Sequence, residues 1–174
     1  MEIIKENTKK HMTIRQACMA DIPTIEGIFL DVIQWMKRES LENQWNEVNT
    51  QWEELAKNYK ISDFYLCLVE GKPAGCVAVT ELDQEYWPEL NPGEAWFLHK
   101  LAVKRAYAGQ HVSSALITYV CNVAKKNRIP TVRLDCNSER MKLIRLYERE
   151  GFQYCRKVVK ASGYELSLYC KNII

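Results

Sequence analysis

Two kinds of strand connection alternate along this chain, and few folds can hold both. FYLCLVE and AGCVAVTEL are apolar runs separated by little more than Gly71, Lys72 and Pro73, short enough to fold back as a hairpin of antiparallel neighbours. EAWFLHKLAV instead passes through a polar stretch, Lys104 to His111, into an amphipathic helix over about 112–126 before the next strand, TVRLDC. That spacing carries the chain across a sheet before it pairs again.

The remaining segments fit the same scheme. A short strand is expected at Met12 to Ala17. Asp21 then caps a helix with Pro23 in its first turn, and Ile25, Ile28, Phe29, Val32, Trp35 and Met36 keep helical spacing to about Arg38. TQWEELAKNYK reads as a second, shorter helix with Trp52, Leu55, Ala56 and Tyr59 on one side. SERMKLIRLYERE is a helix ending at Gly151, and FQYCRKVVK and YELSLYC are strands joined by a turn at Ala161, Ser162 and Gly163. The order β, α, α, β, β, β, α, β, α, β, β predicts an α/β fold. Its centre is a mixed, twisted sheet of about six to seven strands flanked by about four helices. Residues 1–11 are polar and without period, a loose N-terminal extension, and 12–174 form one domain.

Composition removes several function classes. With 24 basic and 22 acidic residues, the formal charge of +2 lacks the surplus of an electrostatic nucleic-acid binder. No apolar run is long enough to span a bilayer and the N-terminus has no leader pattern, so a cytoplasmic protein without membrane contact is expected. The seven cysteines are scattered without a C-x-x-C pair, and the three histidines are not spaced as ligands, so no metal is expected.

The chemistry is concentrated at Leu98 to Ile117, LHKLAVKRAYAGQHVSSALI, where a strand turns into a helix. Free amides of a helix's first turn, with its dipole, favour an anion, and small residues there let a pyrophosphate approach the main chain. This stretch resembles the long shared motif of the GNAT superfamily of N-acetyltransferases: a strand ending in LAV, then an Arg/Gln-x-x-Gly-x-Gly/Ala turn opening a helix. Here Ala108, His111 and Ser113 stand at motif positions usually held by Arg/Gln, Gly and Gly. A second resemblance is RLDCNSERMKLIRLYEREGF, with Leu146, Tyr147, Gly151 and Phe152 in the family's Leu-Tyr-x-x-x-Gly-Phe pattern.

The resemblance implies acetyl-CoA as cosubstrate. Leu101, Ala102 and Val103 would meet the pantetheine arm; Ala108, Gly109, Gln110, His111, Val112, Ser113 and Ser114 would surround the pyrophosphate, with a hydroxyl from Ser113 or Ser114. Asn137, after the fifth strand, would bond to the cofactor or cap the next helix. Tyr147 would protonate the departing thiolate, and a strand amide near Leu101 would receive the carbonyl oxygen. The acceptor amine, with a reference pKa of about 10.4, has to lose a proton first. His99, ordinarily near 6.5, is the expected base, directly or through water, with Glu94 and Glu81 as alternatives.

The acceptor pocket is expected among Trp35, Trp45, Tyr86, Trp87 and Phe97, with Glu81, Asp83 and Glu85 favouring a cation at its mouth. The implied reaction is direct acetyl transfer in a ternary complex to a primary amine, of a small molecule first and of a protein second, with exposed edge strands leaving room for a homodimer. The competing reading is a catalytically weak acyl-CoA-binding regulatory or interaction module with the same fold.

Overall fold

The computed structural model describes residues 10–41 and 44–174. The expected loose extension lies outside these except for Lys10 and His11, and both are tied down. The Lys10 ammonium donates to the Gln110 side chain at 3.0 Å, and His11 exchanges hydrogen bonds with Glu70.

In chain order the elements are β1 (Met12–Gln16), α1 (Ile22–Arg38), α2 (Trp52–Leu55), β2 (Phe64–Val69), β3 (Lys72–Thr80), β4 (Ala95–Val103), α3 (Val112–Lys126), β5 (Thr131–Asn137), α4 (Met141–Arg149), β6 (Gln153–Val159) and β7 (Glu165–Asn172). The strands form one seven-stranded sheet in the order β1-β2-β3-β4-β5-β7-β6. β4 and β5 are parallel, joined across α3, while the other neighbouring pairs are antiparallel. The mixed sheet expected from the alternation of hairpin and crossover is the sheet observed.

Burial divides by strand alternation. On β2 and β3, Cys67, Val69, Ala74, Val77 and Val79 point to the face covered by α3, where Val112, Leu116, Ile117, Val120 and Ala124 pack. Their alternates Phe64, Leu66, Cys76 and Ala78 pack under α1 against Ile25, Ile28, Phe29, Val32 and Ile33. Both faces are covered, which is why these strands read as nearly continuous apolar runs.

Two local expectations are corrected. α2 is a single turn, Trp52–Leu55, and does not continue along Ala56 and Tyr59. Tyr59 turns away to pack edge-on against Phe64 at 5.6 Å and His99 at 5.9 Å, so a tertiary aromatic contact overrides helical period. Asp21 precedes α1 but makes no side-chain cap to it. Its carboxylate accepts from the Cys18 amide at 2.8 Å and from both Arg15 terminal nitrogens at 2.7 and 2.8 Å. This clasp fixes the exit of β1 against the start of α1.

The sheet opens in the middle. β4 and β5 pair only from Ala95 to Leu98 and Thr131 to Leu134. Beyond that point β5 continues against β7 as far as Asn137. β4 bulges: Ala78 faces His99 and Cys76 faces Ala102, so Lys100 and Leu101 crowd opposite Val77, and Lys100 takes a left-handed φ of 54°. The β5-facing edge of β4 from His99 to Val103 is thereby left without a strand partner, and a notch forms between the strands.

The Asp21 clasp has a signed pH signature. Hydrogen bonds from Arg15, then from the Cys18 backbone, hold the Asp21 carboxyl well below its ordinary range. A depressed folded value means the stabilisation is present above the unfolded value of about 3.9 and is lost as pH falls through the folded one. Asp21→Asn should cost about 1–2 kcal/mol at pH 7, modest because Arg15 is half exposed. Urea melts should show a smaller difference at pH 3 than at pH 7.

Candidate active site

The turn between β4 and α3 is built to present main chain. A short helical turn, Arg105–Tyr107, leads to Gly109 at φ 74° and His111 at φ 62°, and α3 starts directly after. Among the described residues, the amides of Val112, Ser113 and Ser114 have no protein acceptor, as expected for a helix's first turn. Val103, Ala108, Gly109, His111, Val112, Ser113 and Ser114 line a cleft of about 290 Å³, which Leu146 and Arg149 of α4 close from the other side. The donor set is backbone amides at a helix start beside an arginine, which fits a diphosphate. The Ser114 hydroxyl donates to Glu150 and is committed there, leaving Ser113 as the free hydroxyl of the pair. Gln110 turns out of this cleft, its side-chain amide donating to the Ala106 carbonyl at 3.0 Å. Ala102 is buried under α1 and contributes main chain only.

A larger cleft of about 680 Å³ fills the notch, with Leu101, Tyr147, His99, Lys100, Asp135, Cys136, Asn137, Trp45, Tyr59, Asp83 and Tyr86 in its lining. The two clefts adjoin along β4 and α4: Leu101 and Tyr147 belong to one, Val103 and Leu146 to the other. Tyr147 is 4% exposed and packs edge-on to Phe152 at 5.9 Å. Burial raises its pKa, so the phenol stays protonated and available as a donor.

His99 is locked by its neighbours. The Thr80 hydroxyl donates to the Leu82 carbonyl at 3.0 Å, so it accepts from His99 Nε2 at 3.0 Å, and that nitrogen carries the proton. Nδ1 is left with its lone pair. Burial, helped by Lys100, pulls the His99 pKa down to about 4, so the ring is neutral at physiological pH. Close by, Asp83, His99 and Asp135 bring three ligand-type atoms within 4.8 Å of one another. Sequence spacing predicts no such group because the residues come from three different parts of the chain. Burial, then Asp83 and Glu85, pushes the Asp135 carboxyl up to about 6, while Lys160 and Lys100 pull it back.

A sequence model described as "Acetyltransferase (GNAT) family" matches residues 29–152, spanning β2 to α4, the smaller cleft and most of the lining of the larger one. The chain belongs to the GNAT acetyltransferase family. It is an acyl-CoA-dependent N-acyltransferase. It is 27% identical over 169 residues to the uncharacterized N-acetyltransferase YesJ of Bacillus subtilis strain 168, covering 86% of this chain and 87% of that one. The yncA acetyltransferase of Salmonella typhimurium, solved with acetyl-CoA, superposes with a TM-score of 0.68 at 17% identity over 94% of this chain and 95% of that one. The ribosomal-protein-S18-alanine N-acetyltransferase of Escherichia coli matches at TM-score 0.68 and 17% identity over 94% of both chains.

Several residues expected at the transferase's site lie elsewhere. Trp87 (2% exposed) and Phe97 (1%) are sealed with Leu166 and Leu168 in a separate core cluster. The Trp87 indole is sandwiched between the Arg133 and Arg156 guanidiniums at 4.5 and 4.6 Å. Trp35 stacks on Arg105 at 3.8 Å and lines neither cleft. Glu94 sits at the far end of β4, its carboxylate accepting from the Asn91 amide at 2.6 Å, and Glu81 is exposed outside the large cleft. Asn137 reaches the large cleft, but its side chain donates to the Tyr164 hydroxyl at 3.1 Å and accepts from the Glu139 amide at 2.8 Å. Trp45 lines the large cleft, edge-on to Phe29 at 5.3 Å.

Sequence reading missed Asp135 and Tyr59. The available signal for Asp135 was a carboxylate near the C-terminal end of a strand following a crossover, where ligands gather in open α/β sheets.

The main-chain cradle generates two expectations. A Cβ on Gly75, opposite Val103, would lie 2.8 Å from the Ala102 carbonyl oxygen and 3.0 Å from Val112. Gly75→Ala should therefore displace β4 from α3, lowering stability by about 1–3 kcal/mol and weakening acetyl-CoA binding in calorimetric titration. His111→Gly removes a side chain from a left-handed residue and should raise stability by about 1 kcal/mol without loss of acetyl-CoA affinity.

Proposed function

We propose that the protein moves an acetyl group from acetyl-CoA directly to a primary amine, with both bound at once. The observation that carries this reading is the notch: one surface holds the unpartnered β4 edge at Leu101, the Tyr147 phenol and the His99 lone pair, and adjoins the diphosphate-type turn.

Acetyl-CoA supplies the activated thioester carbonyl. In this reading the amides of Val112, Ser113 and Ser114 hold its pyrophosphate, with Arg149 opposite, and the open main chain of Leu101 to Val103 receives the pantetheine arm. His99 Nδ1 takes the acceptor's proton, because its Nε2 is already protonated and bonded to Thr80. The Leu101 amide donates to the carbonyl oxygen as negative charge develops, and Tyr147 donates to the departing sulfur. A thiol intermediate is disfavoured: Cys136 lies in the cleft, but burial, then Asp135, pushes its thiol up to about 12, leaving it protonated.

A cleft of this size suits a small-molecule acceptor. A cytoplasmic setting agrees with seven free cysteines, and among the described residues no helix is long and apolar enough to cross a membrane.

Thermal-shift titration with acetyl-CoA, followed by acetylation of a panel of amines, tests the proposal. Tyr147→Phe should bind acetyl-CoA within about twofold of the native protein while kcat falls about 10²–10³-fold. Binding without turnover across the panel would assign the chain to the weak acyl-CoA-binding class. No shift with acetyl-CoA would sink the transfer reading.

A further inference from the structure

The charged residues of the large cleft do not all have partners. Glu54 pairs with Lys57 at 2.7 Å and Glu85 with Lys160 at 3.1 Å. Asp83 and Asp135 have no ion pair among the described residues. Asp83 accepts only from its own loop, at the Tyr86 amide. The Asp135 carboxylate accepts no hydrogen bond among the described residues, although it is half-buried in the lining of the cleft. Lys100 is drawn over the Trp45 ring at 5.5 Å and stays beyond ion-pair distance of both carboxylates.

A half-buried carboxylate without a partner is partly desolvated at a cost, and a second carboxylate beside it raises that cost. A cation between them would relieve both. Asp83, His99 and Asp135 are close enough to serve one cationic centre, and His99 offers an unprotonated Nδ1 on the same group. The walls are Trp45, Tyr59, Tyr86 and Tyr164. Aromatic faces suit an organic cation and its apolar body better than a hydrated metal ion.

We infer that Asp83, His99 and Asp135 form the ammonium subsite of the acceptor pocket, and that the acceptor is a primary ammonium on an apolar or aromatic body. This rests on the transfer reading, since it places the acceptor's nitrogen next to His99. The two carboxylates receive the acceptor as R–NH3+. One proton then passes from nitrogen to the His99–Asp135 group, leaving R–NH2 with a lone pair for the thioester. Asp135 is the specificity-determining member, because the ammonium supplies the partner that the fold withholds.

The experiment is calorimetric titration of the native chain, Asp135→Asn and Asp83→Asn with 2-phenylethylamine, with its neutral isostere 2-phenylethanol, with acetyl-CoA and with zinc chloride. The native protein should bind the amine at least tenfold more tightly than the alcohol. Asp135→Asn should lose at least tenfold in amine affinity while affinity for the alcohol and for acetyl-CoA stays within twofold. It should also melt at a higher temperature, since the repulsion between two half-buried carboxylates has been removed. Asp83→Asn should weaken amine binding in the same sense and provides the second test if the first variant does not fold.

Equal affinity for amine and alcohol, no amine binding, or amine affinity unchanged in both variants would overturn the subsite. So would zinc binding that both variants abolish and the amine does not displace, which would make the group a metal site. Loss of acetyl-CoA binding by the native protein would overturn the transfer reading instead, and the amine titration would still judge the subsite.

Discussion

The site depends on how little β4 and β5 hold of each other. Four residues of each strand pair in parallel, and then β4 bulges at Lys100 and Leu101 while β5 stays with β7. Had the ladder continued, the β4 edge would spend its hydrogen-bonding groups on β5 and no ligand could reach it. A left-handed φ at a lysine is uncommon, and the pairing of β4 with β3 before and after the bulge holds it there. The interrupted ladder thus exposes main chain in the middle of a covered sheet, where side chains from four strands and α4 can surround it.

The two faces of the sheet contribute different chemistry to that opening. Leu101 and Tyr147 pack with the α3 side, close to the turn that presents free amides. His99 and Lys100 face the α1 side with Tyr59 and Trp45. The notch is the place where the faces meet, and in the transfer we propose the thioester arrives from one side and the amine from the other without either crossing a packed layer. Glycine at position 75 permits the close approach of β4 and α3 that frames this passage.

Electrostatics then separates roles that look alike in the sequence. Glu94, Glu81, Asp83 and Asp135 are four carboxylates at strand ends, in a loop or in a strand. Glu94 and Glu81 lie outside the cleft, whereas Asp83 and Asp135 converge on His99 inside it. Among the tryptophans, Trp45 lines the cleft while Trp87 is sealed between two guanidiniums in the core. Nothing in residue type distinguishes these cases; the burial and the neighbours do.

The sequence alone determined the element order, the mixed sheet and the strand-to-helix turn, because these follow from periodicity, turn residues and local spacing, which reach only a few residues along the chain. Tyr147, His99 and, apart from Gln110, the turn at 108–114 line the two clefts, and each sits at a fixed offset from a strand or helix end that the sequence marks. Only the tertiary structure decided that α2 stops after one turn, that Ser114 is held by Glu150, that Trp87 and Phe97 are core, and that Asp135 converges with Asp83 and His99. Those outcomes depend on contacts between segments distant in the chain. Whether a carboxylate is satisfied is a property of everything that surrounds it, and a single strand's pattern does not carry that information.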